Sequence, residues 1–262
     1  MPALFFFILG TIIGSFLNVV ILRHNSGLQL NGRSGCMQCG AQLRWFNLIP
    51  ILSWILQRGR CSVCHSHVSL QYPLVEISTG ILFLLSWFTL GLQPELLILL
   101  IQVAVLVLIF VYDLRHKIIP DAFSYVFAGV SLIGIVYTLW LTNSFSEILL
   151  SLIAGPVLAS PFVLLVMVSR GRWMGMGDAK LALGIGWMLG LLAGYFAIAI
   201  GFWLGAIIGL VGIGLGRISN LSGRIPRVTM TSEVPFGPFL VTGTVMMAFW
   251  GNAVLHFFGF IF

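Results

Sequence analysis

The chain has 262 residues, of which 59% are apolar and only 8% charged, against roughly 45–50% and 25% in soluble domains. Thirteen Lys+Arg and seven Asp+Glu cannot furnish a water-facing surface for a chain of this length, which excludes a soluble globular enzyme and a disordered chain. The net charge of +6 would otherwise suggest a nucleic-acid partner. Here the basic residues are gathered in four stretches between apolar runs, so the main partner is the lipid bilayer and no nucleic-acid partner is expected.

Taken in chain order, Met1–Leu22 is the first apolar run. Its positive charges follow the run, which suits a retained first span with its N-terminus outside. Arg23 to about Ser69 is polar and holds all four cysteines. Leu70–Tyr112 is long enough for two spans, with a break at Gly91–Pro94. Ala122–Ser169 gives two more, broken at Thr142-Asn143-Ser144, and Leu181–Gly216 another two, joined near Gly194–Ala199. Phe236–Phe262 is the last.

The fold class is therefore an all-α polytopic membrane protein of about eight transmembrane helices with a small cytoplasmic loop module. With eight spans every basic stretch falls on one side, and the opposite loops carry only Glu95 and Glu147. The positive-inside rule then places the four basic loops in the cytoplasm. Three regions follow: a first span over 1–22, a four-cysteine loop over 23–69, and a multi-span core over 70–262.

Small residues four apart let helix backbones approach closely in lipid. Gly10 with Gly14, Gly186 with Gly190 and Gly194, and Gly201 with Gly205 and Gly209 are such ridges. Asn18, one turn beyond Gly14, reads as an interhelical hydrogen-bonding residue. No internal repeat stands out.

Cys36-Met-Gln-Cys39 and Cys61-Ser-Val-Cys64 are two C-x2-C knuckles with 21 residues between them. Each offers two thiolates from a tight turn, and four thiolates close a tetrahedral structural zinc site with no open position for water. A cytoplasmic loop argues against the disulfide alternative. His65 and His67 read as surface residues.

Glu95 and Glu147 read as solvated loop charges, whereas Glu76, Asp113, Asp121, Asp178 and Glu233 lie near cytoplasmic span ends, where ionisable groups suggest function. Asp121 follows Pro120 and reads as a helix cap. Asp113 ends an apolar helix, where the macrodipole disfavours an anion; Asp178 opens one, where it favours an anion. Gly175 and Gly177 remove side-chain bulk just before Asp178. Two acids at equal depth in opposite dipole environments form a plausible aspartic dyad sharing a proton and a water, with Asp178 starting as base and Asp113 as acid.

These residues resemble the bacterial prepilin peptidase family over essentially the whole chain. Gly14-Ser-Phe-Leu-Asn18 with Arg23, the two C-x2-C pairs with Asn47–Trp54 between them, and Tyr72–Glu76 are similar to its first half. Asp113 through Pro120-Asp121, Gly175-Met-Gly-Asp178 with Lys180-Leu181, and Glu233–Phe239 are similar to its catalytic half. The resemblance implies an aspartic endopeptidase that needs no catalytic metal, with Asp113 and Asp178 as the catalytic pair and Gly175, Gly177 and Lys180 supporting their loop. It implies prepilins or pseudopilins as substrates, cleaved after a glycine at the inner face of the bacterial cytoplasmic membrane. It also implies N-methylation of the new terminus from S-adenosylmethionine. No G-x-G-x-x-G pattern offers a donor fold, so Gly59, Arg60, Glu76 and Glu233 are the candidate donor-site residues. A peptidase without methyl transfer is one alternative. A transporter or channel with a zinc-stapled loop is another, although its acids would sit at one interface and not at the midplane.

Overall fold

The computed structural model describes residues 1–27, 29, 32–142, 145–218 and 235–259. Its long elements are all helices: α1 (Pro2–Arg23), α3 (Gln71–Leu90), α4 (Glu95–His116), α5 (Asp121–Thr142), α6 (Phe145–Ser169), α7 (Met176–Ile218) and α8 (Gly237–Phe257). A short α2 (Leu52–Leu56) and a 3-10 turn (Trp45–Leu48) lie in the loop after α1. Among the described residues, seven helices are long and apolar enough to cross a membrane.

One of the seven, α7, is two helices. Gly190 interrupts it at φ 77° and ψ −178°, a backbone that glycine alone adopts without strain. A Cβ placed on Gly194 would lie 3.5 Å from the Cα of Gly186, although residues eight apart on a straight helix are separated by about 12 Å. The chain therefore doubles back at Gly190, and the expected pair of tightly joined helices is present. The joint lies at Gly190 rather than at Gly194–Ala199, because Gly194 is already packed in the returning helix.

Two compact units divide the chain, residues 1–108 and 109–262, with the division inside α4. In the first unit, α1 and α3 meet through glycines. A Cβ on Gly10 would collide with the backbone of Thr79 and Gly80, and one on Gly14 with Val75 and Glu76. Asn18 is fully buried there and donates from Nδ2 to the Tyr72 carbonyl at 3.2 Å, the interhelical role expected of it. Contact this close replaces the hydrophobic force that lipid cannot supply between helices.

In the second unit, the first half of α7 packs on α5 at Gly184–Phe127 and on α6 at Gly186–Ala154, and its returning half packs on α8 at Gly201–Leu240. Gly209 has no such neighbour among the described residues, so it does not continue the ridge. Pro156 and Pro161 lie inside α6, and each removes the amide that would bond the carbonyl four residues earlier. Side chains replace both donors. Trp187 Nε1 donates to the Leu152 carbonyl at 2.9 Å, and Ser160 Oγ donates to Val157 at 2.8 Å. An apolar solvent offers no water for these groups, so the replacements are what permit proline at membrane depth.

Candidate active site and four-cysteine centre

The second unit builds a carboxylate site from three helix ends. Asp113 lies on the last turn of α4 and is only 4% exposed. That turn closes where Lys117, in the left-handed region at φ 55°, donates its N–H to the Asp113 carbonyl at 2.7 Å. Residues 118–120 then carry the chain to the start of α5, and the start of α7 rests on them. A Cβ on Gly177 would lie 2.9 Å from Cβ of Ile119, so the glycine permits that approach. Lys180 Nζ closes the junction with an ion pair to Asp121 Oδ1 at 2.6 Å, and sits 5.1 Å from the centre of the Tyr125 ring. Asp121, expected as a cap, is the first residue of α5 and ties its beginning to that of α7.

Asp178, half-buried in the first turn of α7, receives the backbone N–H of Gly175 and lies within electrostatic reach of Asp113. Residues 65 positions apart are thereby brought together. A further residue completes the arrangement. Gly237, the first residue of α8, donates its N–H to Asp113 Oδ2 at 2.9 Å, and a Cβ there would lie 2.6 Å from that oxygen. Asp113 therefore also faces a helix N-terminus, and the dipole asymmetry expected between the two acids is offset by α8. Sequence reasoning missed Gly237. The signal was Phe236-Gly237-Pro238, a glycine beside the proline that opens the last span.

The loop of the first unit gathers the other predicted set. Sγ atoms of Cys36, Cys39, Cys61 and Cys64 all lie within 4.8 Å of one another, and those of Cys36 and Cys64 are 3.8 Å apart. Tetrahedral zinc at about 2.3 Å from each sulfur requires S–S separations near 3.8 Å, so the donor set and its spacing fit the ion. Neither His65 nor His67 joins the cluster.

The two knuckles are one structure used twice. Cys36 N–H donates to Ala41, Gly40 N–H to Cys36, and Leu43 N–H to Ser34; twenty-five residues later Cys61 donates to Ser66, His65 to Cys61, and Val68 to Gly59. The bridges Gly35–Gln42 and Arg60–His67 repeat at the same offset. The internal repeat is invisible in the sequence because backbone groups make it and the cysteines are the only residues it needs in common. Backbone N–H groups of Cys39 and Gln38 turned toward the sulfur push the Cys36 thiol down to about 6. For Cys39 the amide of Ala41 pulls down, but hydrogen bonding and charge from Cys64 and Cys36 prevail and push it up to about 11.

Residues 8–90 match the bacterial peptidase A24 N-terminal domain, and residues 100–210 match the type IV leader peptidase family. A type 4 prepilin-like proteins leader peptide-processing enzyme of Escherichia coli O78:H11 is 33% identical over 90% of this chain and 89% of its own length.

The chain belongs to the type IV leader peptidase family.

A prepilin leader peptidase/N-methyltransferase of Xanthomonas campestris is 29% identical over 93% of the chain and 90% of its own length. One of Myxococcus xanthus is 41% identical over 50% of the chain and 40% of its own length. No solved structure shows a significant match. Family membership makes the protein a membrane peptidase, in a lineage whose members are also named methyltransferases, and supports that reading over a transporter or channel.

The remaining candidates of this family member belong to the first unit or lie outside the described residues. Glu76 is buried on α3 and accepts the Ile51 N–H at 2.7 Å. Gly59, at φ 65°, lies under the Trp54 ring, where a Cβ would come within 2.8 Å of Cζ2. Trp54 Nε1 in turn donates to Val68 at 3.2 Å. Arg60 is exposed and pairs with His67 through the backbone bridge. Glu76 and the loop are thus joined directly, Gly59 and Arg60 belong to the second knuckle, and Glu233 lies outside the described residues, as do Arg224 and Arg227. Glu95 differs from expectation: it is the first residue of α4, and its Oε2 is buried without a partner among the described residues, so it is not a freely solvated charge.

Proposed function

We propose that this leader peptidase removes the short basic leader of type IV prepilins or pseudopilins and N-methylates the new amino terminus, at the cytoplasmic face of a bacterial inner membrane. Asp113 and Asp178 carry the hydrolysis. The observation that supports this reading most directly is the convergence of the two carboxyls, one pinned by Gly237 and the other by Gly175.

The pair holds one proton. Its ionised member takes a proton from water as the oxygen attacks the carbonyl carbon of the glycine before the scissile bond. The protonated member hydrogen-bonds the carbonyl oxygen and transfers its proton as charge develops there. Collapse of the tetrahedral intermediate breaks the C–N bond, and the amine leaves with a proton returned from the dyad. Gly175, Gly177 and Lys180 keep Asp178 in place, the last through Asp121. Fixing both acids before substrate arrives leaves little reorganisation for the reaction itself.

The four cysteines hold a structural zinc that staples the 23–69 loop, a segment too short to rely on its own core. The first span is 1–22, the loop is the part associated with methyl transfer, and 70–262 is the peptidase core. S-Adenosylmethionine supplies the methyl group when bound, and Gly59, Arg60, Glu76 and Glu233 are the residues assigned to its site.

A synthetic prepilin offered to the reconstituted full chain separates the activities by mass. Asp113→Asn and Asp178→Asn should each slow leader removal about a thousand-fold or more, while a pre-cleaved pilin still gains its methyl group. Undiminished cleavage by either variant would remove the dyad.

A further inference from the structure

The loop between α1 and α3 carries large apolar side chains that remain exposed among the described residues. Trp45, Leu48, Ile49, Leu52, Ile55 and Leu56 are all exposed, Trp45 by 77%, Ile55 by 57% and Leu56 by 81%. Six large apolar side chains in twelve residues are not left to water in a stable protein without a partner.

Three observations identify the partner. The first is depth. The Ile51 N–H bonds Glu76 Oε2 at 2.7 Å, and Glu76 is the sixth residue of the α3 span. At 1.5 Å per residue that is about 7.5 Å from the start of α3. Side chain and hydrogen bond together reach roughly that far, so the Ile51 amide lies no higher than the first residue of the span. The second is backbone strain. Ile51 holds φ 63° and ψ −54°, which is rare for a β-branched residue and persists only where its surroundings enforce it. It stands between the 3-10 turn and α2, with the apolar residues on either side. The third is charge. Arg44, Arg58 and Arg60 are exposed at the two ends of the segment, and no Asp or Glu occurs anywhere between Arg23 and Ser69.

We propose that residues 45–56 are a membrane-surface anchor whose partner is anionic phospholipid. The apolar side chains enter the acyl region continuous with the lipid-facing surfaces of α1 and α3, and Arg44 and Arg58 meet phosphates above them. Trp45 and the arginines suit the interface because each joins an apolar body to a polar end. The anchor holds the four-cysteine module against the leaflet from which α3 enters.

The test uses the full chain in nanodiscs of phosphatidylglycerol and phosphatidylcholine. A photo-crosslinking amino acid replaces Trp45, Ile49, Leu52 or Leu56 in turn. Met37 and Val63, which are exposed and apolar but sit on the knuckles, serve as controls, and unchanged metal content certifies each variant's loop fold. Lipid adducts at the four positions should exceed the controls by about five-fold or more. Yields equal to the controls, or adducts confined to the chain itself or to added prepilin, would overturn the anchor. A second measurement does not depend on an inserted residue. Acyl-brominated lipid should quench wild-type emission more strongly than that of Trp45→Phe, and equal quenching would count against the proposal.

Discussion

The carboxylate site and the four-cysteine centre solve the same problem by opposite means. Both gather groups distant in sequence. The cysteine centre does so locally: each knuckle closes on its own hydrogen bonds, and the two turns need only meet once to bring four thiols together. The carboxylate site has no local unit. Asp113, Asp178 and Gly237 sit on three helix ends, and their meeting depends on α5, α6 and the doubled-back α7 being packed correctly. Damage to the first should therefore be confined to the loop, whereas damage to the second is either fine-grained or global.

The largest expected effect tests that confinement. Cys61→Ser, or prolonged treatment with a strong chelator, should abolish metal retention and open residues 34–68 to protease, because a short module loses its fold with its metal. Methyl transfer should disappear and leader cleavage should persist; joint loss would show that the two regions are not separable.

Next in size is Gly237→Ala. Its methyl group would collide with Asp113 Oδ2, and a displacement of about 1 Å in a catalytic group reduces rates about a hundred-fold. Cleavage should fall by that order with metal content and methyl transfer unchanged; full activity would mean that the α8 amide is not part of the site. A smaller effect is expected at Trp187→Phe, which strips the Leu152 carbonyl of its donor. Thermal unfolding in detergent should report about 1–3 kcal/mol of destabilisation with Asp113 and Asp178 still active. Smallest is Asp121→Asn. The Lys180 pair lies in part at the surface, with Asp121 64% exposed, and such pairs contribute about 0–1 kcal/mol. A few-fold fall in cleavage with no measurable change in unfolding is the expected result.

Sequence alone determined the solvent and the helices, and it named the candidate centres. Apolar runs interrupted by basic stretches specify membrane spans, because no water-soluble surface can be made from so few charges. Paired C-x2-C knuckles specify a thiolate centre because the ligands need only two tight turns. The Asp113 and Asp178 motifs pointed to the proposed dyad through their residue types and through resemblance. Tertiary structure alone decided where α7 reverses, since several glycines could have turned and only Gly190 lacks a packing neighbour while holding a positive φ. It also decided that α8 reaches Asp113, that the knuckles repeat, and that Ile51 reaches Glu76. The physical reason is common to all of them: these contacts are made by backbone amides and by close approach at glycine, which carry no side-chain signature for a sequence to display.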